Sequence, residues 1–122
     1  MNLNVFNKMR IKKGTIGRHF YAPESYINMV KDQDIIDFEG DNPTFYHLFV
    51  ASQQDFIERI TPIMETMNTD TRLWVSYPKK LRYESYDINR DTLFELGTEY
   101  GIKPYANVAL NEEWSCVGMK LK

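Results

Sequence analysis

The segment LWVSYPKK (residues 73–80) decides the fold, because it joins a buried strand directly to a strand stop. Its first three residues are apolar without alternation, which is typical of a strand that is covered on both faces. Pro78 lacks the N–H that a central strand would donate, and Lys79 and Lys80 follow it. The segment therefore predicts a buried strand at 73–77 with a basic end.

The composition predicts one folded domain. The chain has 122 residues, 43% hydrophobic and 26% charged, which is close to the average for globular proteins. No apolar run is long enough to span a bilayer, and the first residues lack the apolar core of a signal peptide. The sequence thus predicts a cytoplasmic protein without membrane attachment. Its single cysteine, Cys116, cannot form an internal disulfide.

Strand and helix signals alternate along the chain. Apolar runs and turn residues predict five strands, at 18–22, 46–51, 73–77, 105–110 and 114–121. Helices are expected at 26–31, capped by Ser25, at 53–67 with a kink or break at Pro62, and from Asn89 or Asp91 onward. Gly101 is expected to end the last helix with positive φ.

This alternation predicts an α/β fold in a single domain spanning residues 1–122. Strands separated by helices are typical of right-handed crossovers and a mostly parallel sheet. The last two strands are close enough in sequence for an antiparallel hairpin. We expect a small three-layer, Rossmann-like domain whose five-stranded sheet has the order 1-2-3-5-4.

Charge is unevenly distributed although the net charge is only −2. Basic residues cluster between positions 8 and 18, and acidic residues cluster between 32 and 41. The basic segment could be a phosphate-binding arm, but two solvated segments that partly neutralise each other are the simpler interpretation. Nucleic-acid binding is therefore disfavoured.

Several segments resemble a small bacterial family catalogued as domain of unknown function 3052. The similar blocks include KMRIKKGT, FYAPESY, LFVASQQDF, LWVSYPKK and VALNEEWSCVGMKL. The most specific blocks are residues 74–80 and Trp114-Ser115, whereas Lys13 stands where that family has proline. The resemblance extends over nearly the whole chain and implies bacterial relatives, but it carries no catalytic assignment.

Candidate site residues follow from the predicted topology. Ligands of open α/β sheets bind beyond the carboxyl ends of the strands. The polar residues expected at that edge are Glu24, Ser25, Ser52, Gln53, Lys79, Lys80 and Arg90. Together they could bind an anionic small molecule. The simpler interpretation treats the serines as helix caps and the lysines as solvated residues that protect an apolar strand.

Known catalytic motifs are absent from the sequence. No G-x-G-x-x-G, G-x-x-x-x-G-K-[ST] or G-x-S-x-G pattern occurs, so no nucleotide cofactor is expected. His19 and His47 lack metal-ligand spacing and are expected to be strand residues with hydrogen-bonded rings. No metal site and no catalytic residue is assigned on this basis.

Two functional hypotheses remain open. The preferred one is a non-enzymatic domain that binds a protein partner or an anionic ligand at the carboxyl ends of the strands. The alternative is an enzyme that uses Glu24, Ser52 and Lys79 there, with Lys79 and Glu24 within hydrogen-bonding reach. The many aromatic residues and an edge strand also predict a surface for homodimer formation.

Overall fold

The computed structural model describes residues 3–79 and 86–122. Within these ranges four helices and six strands alternate along the chain. They are α1 (Val5–Lys8), β1 (Thr15–Phe20), α2 (Glu24–Val30), β2 (Ile36–Asp37), β3 (Phe45–Phe49), α3 (Gln53–Met64), β4 (Arg72–Pro78), α4 (Arg90–Glu99), β5 (Ile102–Ala109) and β6 (Trp114–Leu121). No helix of the described ranges is long and apolar enough to cross a membrane.

The strands form one mixed sheet in the order β2-β1-β3-β4-β6-β5. Strands β2, β1, β3 and β4 are parallel, whereas β6 runs antiparallel to both of its neighbours. The α/β class is confirmed, but the described residues form six strands where five were predicted. The additional strand β2 has only two residues and lies in the acidic segment, so it has no apolar run that sequence analysis could detect. The other five strands lie in the sheet in the predicted order 1-2-3-5-4.

Side chains of the central strands alternate between two apolar layers. Tyr46 and Leu48 of β3 join one core with α3 and α4, whereas Phe45 and Phe49 join the other with α1 and α2. All five residues of β3 are buried, and so are five of the seven in β4. Helices therefore cover both faces of the sheet.

Local signals explain most helix boundaries. The Ser52 hydroxyl accepts the Asp55 N–H at 3.0 Å, and Asn89 caps α4 through a reciprocal pair of bonds with Thr92. Gly101 has the expected positive φ, 85°. The expected cap is wrong, since α2 begins at Glu24 after Pro23 and Ser25 lies inside it. At Pro62 the helix α3 continues to Met64, so of the two alternatives a break is wrong. Pro62 has no N–H to donate to the Glu58 carbonyl.

Gly118 allows β6 to pass closely beneath the indole ring of Trp74. A Cβ atom at this position would lie 2.9 Å from the nearest ring carbon, a distance that requires the ring or the strand to shift. Trp74 is 2% exposed and Gly118 is its partner in the β4–β6 ladder. The close contact between β4 and β6 thus depends on glycine, which has no side chain, at position 118.

We expect Gly118→Ala to lower the free energy of unfolding by about 1–3 kcal/mol because it overpacks this contact. Urea denaturation would measure the loss. The three closest ring atoms belong to the benzo ring of Trp74, so Gly118→Ala should cost less in a Trp74→Phe background. Equal costs in both backgrounds would contradict the proposed clash.

Candidate functional site

We call the space between the carboxyl ends of β1 and β3 the crevice. The helices that follow these two strands pack on opposite faces of the sheet. After β1 the chain enters α2, whose Tyr26 packs on one face of the sheet. After β3 it enters α3, whose Phe56 packs on the opposite face. In open α/β sheets a ligand crevice forms where successive connections diverge in this way. The topology therefore favours this position over the other strand ends.

Arg59 and Tyr21 lie across this crevice. The Arg59 guanidinium lies 3.9 Å from the centroid of the Tyr21 ring and donates to the Phe49 carbonyl oxygen at 2.9 Å. Its Nη2 atom also lies 3.4 Å from Oδ1 of Asp55, one turn earlier in α3. The Arg59 side chain thus connects the end of β1 to the end of β3.

Tyr21 has an unusual backbone conformation. Its φ is 59°, in the left-handed region that costs a residue with a Cβ about 1–2 kcal/mol. Its side chain is 64% exposed. Such outliers concentrate at binding and catalytic sites, where surrounding contacts hold them in place. Sequence analysis did not select Tyr21 or Arg59, although the Asp55/Arg59 spacing of four residues was a readable signal for a paired arginine.

The residues that the sequence predicted for the site follow the strand ends. Some of their side chains already form hydrogen bonds within the protein. Glu24 and Ser25 are exposed on the first turn of α2. Ser52 is half-buried, and its oxygen accepts the Asp55 N–H. The Gln53 side chain donates to the Asp87 carbonyl at 2.6 Å, so it ties α3 to the segment before α4.

Lys79 and Arg90 lie farther along the same edge. Lys79 follows β4 directly, and its backbone N–H donates to the Glu113 carbonyl. Arg90 forms an exposed ion pair with Asp91 at 3.5 Å. Lys80 lies outside the described residues.

Lys79 and Glu24 do not form the direct contact that the enzyme hypothesis predicted. No ion pair joins them within the part of the chain that the structure describes. The strands that precede them, β4 and β1, are separated by β3, and two strand spacings amount to about 10 Å. A substrate would therefore have to lie between these two side chains.

A cavity of about 220 Å³ adjoins the crevice on the α3 side. It is lined by Phe20, Tyr21, Glu58, Arg59, Pro62, Ile63 and Thr66. A larger cleft of about 550 Å³ lies elsewhere, beside α2 and β2, and includes His19 and Phe38. This larger cleft thus does not coincide with the strand ends selected by topology.

A buried polar cluster lies within the sheet below the crevice. His47 Nε2 is 2.6 Å from Ser76 Oγ, and Ser76 faces Cys116 in the β4–β6 ladder. The rings of His47 and Tyr26 meet edge to face with centroids 4.7 Å apart. Tyr26 Oη and His47 Nδ1 have no hydrogen-bond partner among the described residues.

Burial keeps this cluster uncharged at neutral pH. It lowers the pKa of His47 to about 3, with a smaller contribution from nearby His19. It also raises the pKa of Cys116 to about 12 and raises the pKa of Tyr26. Cys116 is consequently not a thiolate nucleophile and His47 is not a base near pH 7. No group of three or more metal-ligating side chains occurs in the described ranges.

No family model and no curated protein sequence matches the chain. Solved structures with similar folds, however, match the chain. A LepI variant in complex with SAH and a substrate analogue aligns with a TM-score of 0.59 at 10% identity, over 98% of this chain and 39% of that one. The mitomycin 7-O-methyltransferase MmcR gives 0.52 at 10% identity, over 80% and 37% respectively.

A third similar structure is that of Streptococcus pneumoniae Sp1610, proposed to be a tRNA (m1A22) methyltransferase, in complex with S-adenosyl-L-methionine. Its TM-score is 0.52 at 13% identity, over 96% of this chain and 59% of that one. The chain therefore spans less than two thirds of each of these three proteins. At these identities the comparison establishes a shared fold.

The comparison corrects the preferred functional hypothesis. A non-enzymatic binding domain was expected, yet the proteins with this fold include methyltransferases and a protein solved with a substrate analogue. The sequence argument failed because it took the missing glycine-rich turn as a sign that no enzyme was present. The enzyme alternative agrees better with the fold.

The buried imidazole predicts an acid-sensitive fold. The pKa of His47 is about 3 when folded and near 6.5 when unfolded, so between these values only the unfolded chain binds the proton. Stability is then complete above about pH 6.5 and falls by roughly 1.4 kcal/mol per pH unit as the pH drops toward 3.

Urea denaturation between pH 7 and pH 5 would measure this slope. We expect His47→Phe combined with Ser76→Ala to reduce it, since the double variant removes the proton acceptor and its partner together. His19→Gln is the matched control, because His19 is only half-buried and should leave most of the slope in place. An unchanged slope in the double variant would contradict the assignment to His47.

Proposed function

We propose that this chain is an enzyme domain whose small-molecule substrate binds at the crevice between β1 and β3. The observation that carries the proposal is the contact between Arg59 and Tyr21 across the point where the chain changes faces. It combines a topological ligand position, a fixed cation and an unusual backbone conformation. The similarity of the fold to those of enzymes supports the proposal.

Arg59 is suited to bind an anionic part of the substrate. A guanidinium carries five N–H donors, and the Phe49 carbonyl takes one of them. The Asp55 carboxylate partly offsets its charge, but this carboxylate also accepts the Ala51 N–H at 2.9 Å. Arg59 is therefore oriented before a ligand arrives, which reduces the entropy lost on binding.

Three residues around the crevice supply complementary chemistry. Glu24 offers an exposed carboxylate that can accept a proton, and Lys79 offers an ammonium group that can stabilise developing negative charge. Ser52 accepts one hydrogen bond in its capping role, and its O–H remains available as a donor. Glu24 and Lys79 would act on different parts of the substrate, since β3 lies between the strands β1 and β4 that precede them.

S-adenosylmethionine, which Sp1610 holds in its structure, does not fit this turn. Each residue of the connection between β1 and α2 carries a Cβ, and the Tyr21 ring is held against the Arg59 guanidinium at 3.9 Å. Pro23 at the helix start has no N–H to donate, and the Glu24 carboxylate would repel the carboxylate of the ligand. The proposed reaction therefore does not use this cofactor.

We expect isothermal titration with S-adenosylhomocysteine to give no saturable heat up to about 1 mM, a limit that corresponds to roughly 4 kcal/mol of binding free energy. The Tyr21→Gly variant, which removes the Cβ and the ring at this turn, should still fold, because glycine adopts positive φ without strain. Saturable micromolar binding to the native chain would show that the turn accepts this ligand after all.

The enzyme proposal is tested by metabolite profiling. A metabolite extract is incubated with catalytic amounts of the protein, and time-resolved mass spectrometry follows depletion of one compound and appearance of another. We expect Glu24→Gln and Lys79→Met to slow this conversion by about tenfold to a thousandfold, as the removal of an acid–base or charge-stabilising group does.

Glu99→Gln and Lys103→Met are the matched controls, since both residues are exposed and lie away from the crevice. They should convert the compound at the native rate. A chain that converts nothing, or site variants that retain full activity, would refute the proposal.

A further inference from the structure

A second, basic cleft lies at the opposite edge of the sheet, where the parallel strands begin. Its volume is about 230 Å³. The connection between α1 and β1 contributes Arg10 and Lys12, and the start of β4 contributes Arg72. Trp74 and Tyr105 supply aromatic surface. This cleft lies away from the crevice and is independent of the proposed enzyme site.

The cations of this cleft form no ion pairs with the carboxylates that the structure describes. Within the described ranges, no ion pair involves Arg10, Lys12, Arg72 or the neighbouring Lys120. Asp70 is the carboxylate that lines the cleft, so positive charge is in excess there. Three cations around one small concavity favour an anionic ligand, because they repel one another when no anion is present.

The cleft is held in shape by hydrogen bonds. Arg72 donates through Nη1 to the carbonyl oxygens of Thr69 at 2.9 Å and Thr71 at 3.1 Å, which fixes the guanidinium. Its other N–H groups remain available for a bidentate contact. On the opposite wall, the Thr15 hydroxyl donates to the Lys12 carbonyl at 2.7 Å.

Arg10 adds a further indication of function. Its φ is 61°, in the left-handed region, and its backbone N–H donates to the Asn7 carbonyl at 3.0 Å. A glycine would adopt this conformation without strain, so the arginine is present at a cost of about 1–2 kcal/mol. The strained backbone carries a cation at the mouth of the cleft.

Tyr105 provides a ring beside these charges. It is 44% exposed, its centroid lies 5.9 Å from that of the buried Trp74, and Lys120 Nζ lies 5.8 Å above the ring. Arginine, lysine and an accessible aromatic ring are the combination that recognises phosphate together with a nucleobase. The cleft volume suits the phosphate, which leaves the base to pack on Tyr105 outside.

We propose that this basic cleft binds a nucleoside phosphate, with the phosphate between Arg10, Lys12 and Arg72 and the base against Tyr105. The phosphate contact predicts that affinity falls as salt concentration rises. The ligand could be a free nucleotide or the phosphorylated end of a nucleic-acid strand, because both present the same chemistry.

The test is a titration of the full chain with 5′-AMP at low ionic strength, followed by amide NMR. We expect saturable shifts at Thr15, Thr44 and Arg72, and an affinity for AMP about tenfold higher than for inorganic phosphate or adenosine alone. Arg10→Gln with Lys12→Gln should weaken AMP binding by about tenfold, since two charge-assisted contacts are lost.

Lys103→Gln with Lys122→Gln is the control pair, since it removes the same charge from exposed positions outside the cleft. It should leave the affinity nearly unchanged. Tyr105→Ser should weaken binding of AMP but not of inorganic phosphate. The Arg10 and Lys12 side chains are exposed, so these variants should fold, which the amide spectrum verifies directly.

An equal loss in the control pair, or no shifts at the cleft with up to about 10 mM AMP, overturns the proposal. A 5′-phosphorylated oligonucleotide distinguishes the two sources of ligand. Binding no tighter than that of AMP identifies a free nucleotide, and tighter binding identifies the end of a strand. Because conversion at the crevice is measured separately, failure here leaves the enzyme proposal standing, and the reverse also holds.

Discussion

Burial of β3 and β4 on both faces is the constraint on which the rest of the structure depends. Since apolar layers cover these strands above and below, helices must lie on both sides of the sheet. Charged groups of these two strands can then reach solvent only where the strands begin and end. Both sites proposed above lie at such ends, one at the carboxyl edge and one at the amino edge.

Sequence patterns predicted the class, the neighbours of the five longer strands and the caps at Ser52 and Asn89, because each depends on local chemistry or on long apolar runs. They could not predict β2, since its two residues pair through backbone atoms within an acidic segment. The basic segment near the N-terminus was interpreted as solvated, because only the folded sheet brings Arg72 beside Arg10.

The candidate site shows the same division. Topology directed attention to the strand ends, but the contact between Tyr21 and Arg59 depends on a three-dimensional approach between α3 and the end of β1. The left-handed conformation of Tyr21 likewise left no trace in residue type, since glycine would be its ordinary signal. Conversely, Gln53 was a sound choice by sequence, yet its amide is engaged with Asp87.

The position of β6 also has a kinetic consequence. It follows the other five strands in the sequence but lies between β4 and β5 in the sheet. Its Met119 pairs with Leu73 of β4. Such long-range pairing must overcome a large loop-closure entropy before its contacts form, which slows folding. Until β6 is synthesised, β4 has one unpaired edge, and such an edge is where a folding intermediate is prone to aggregate.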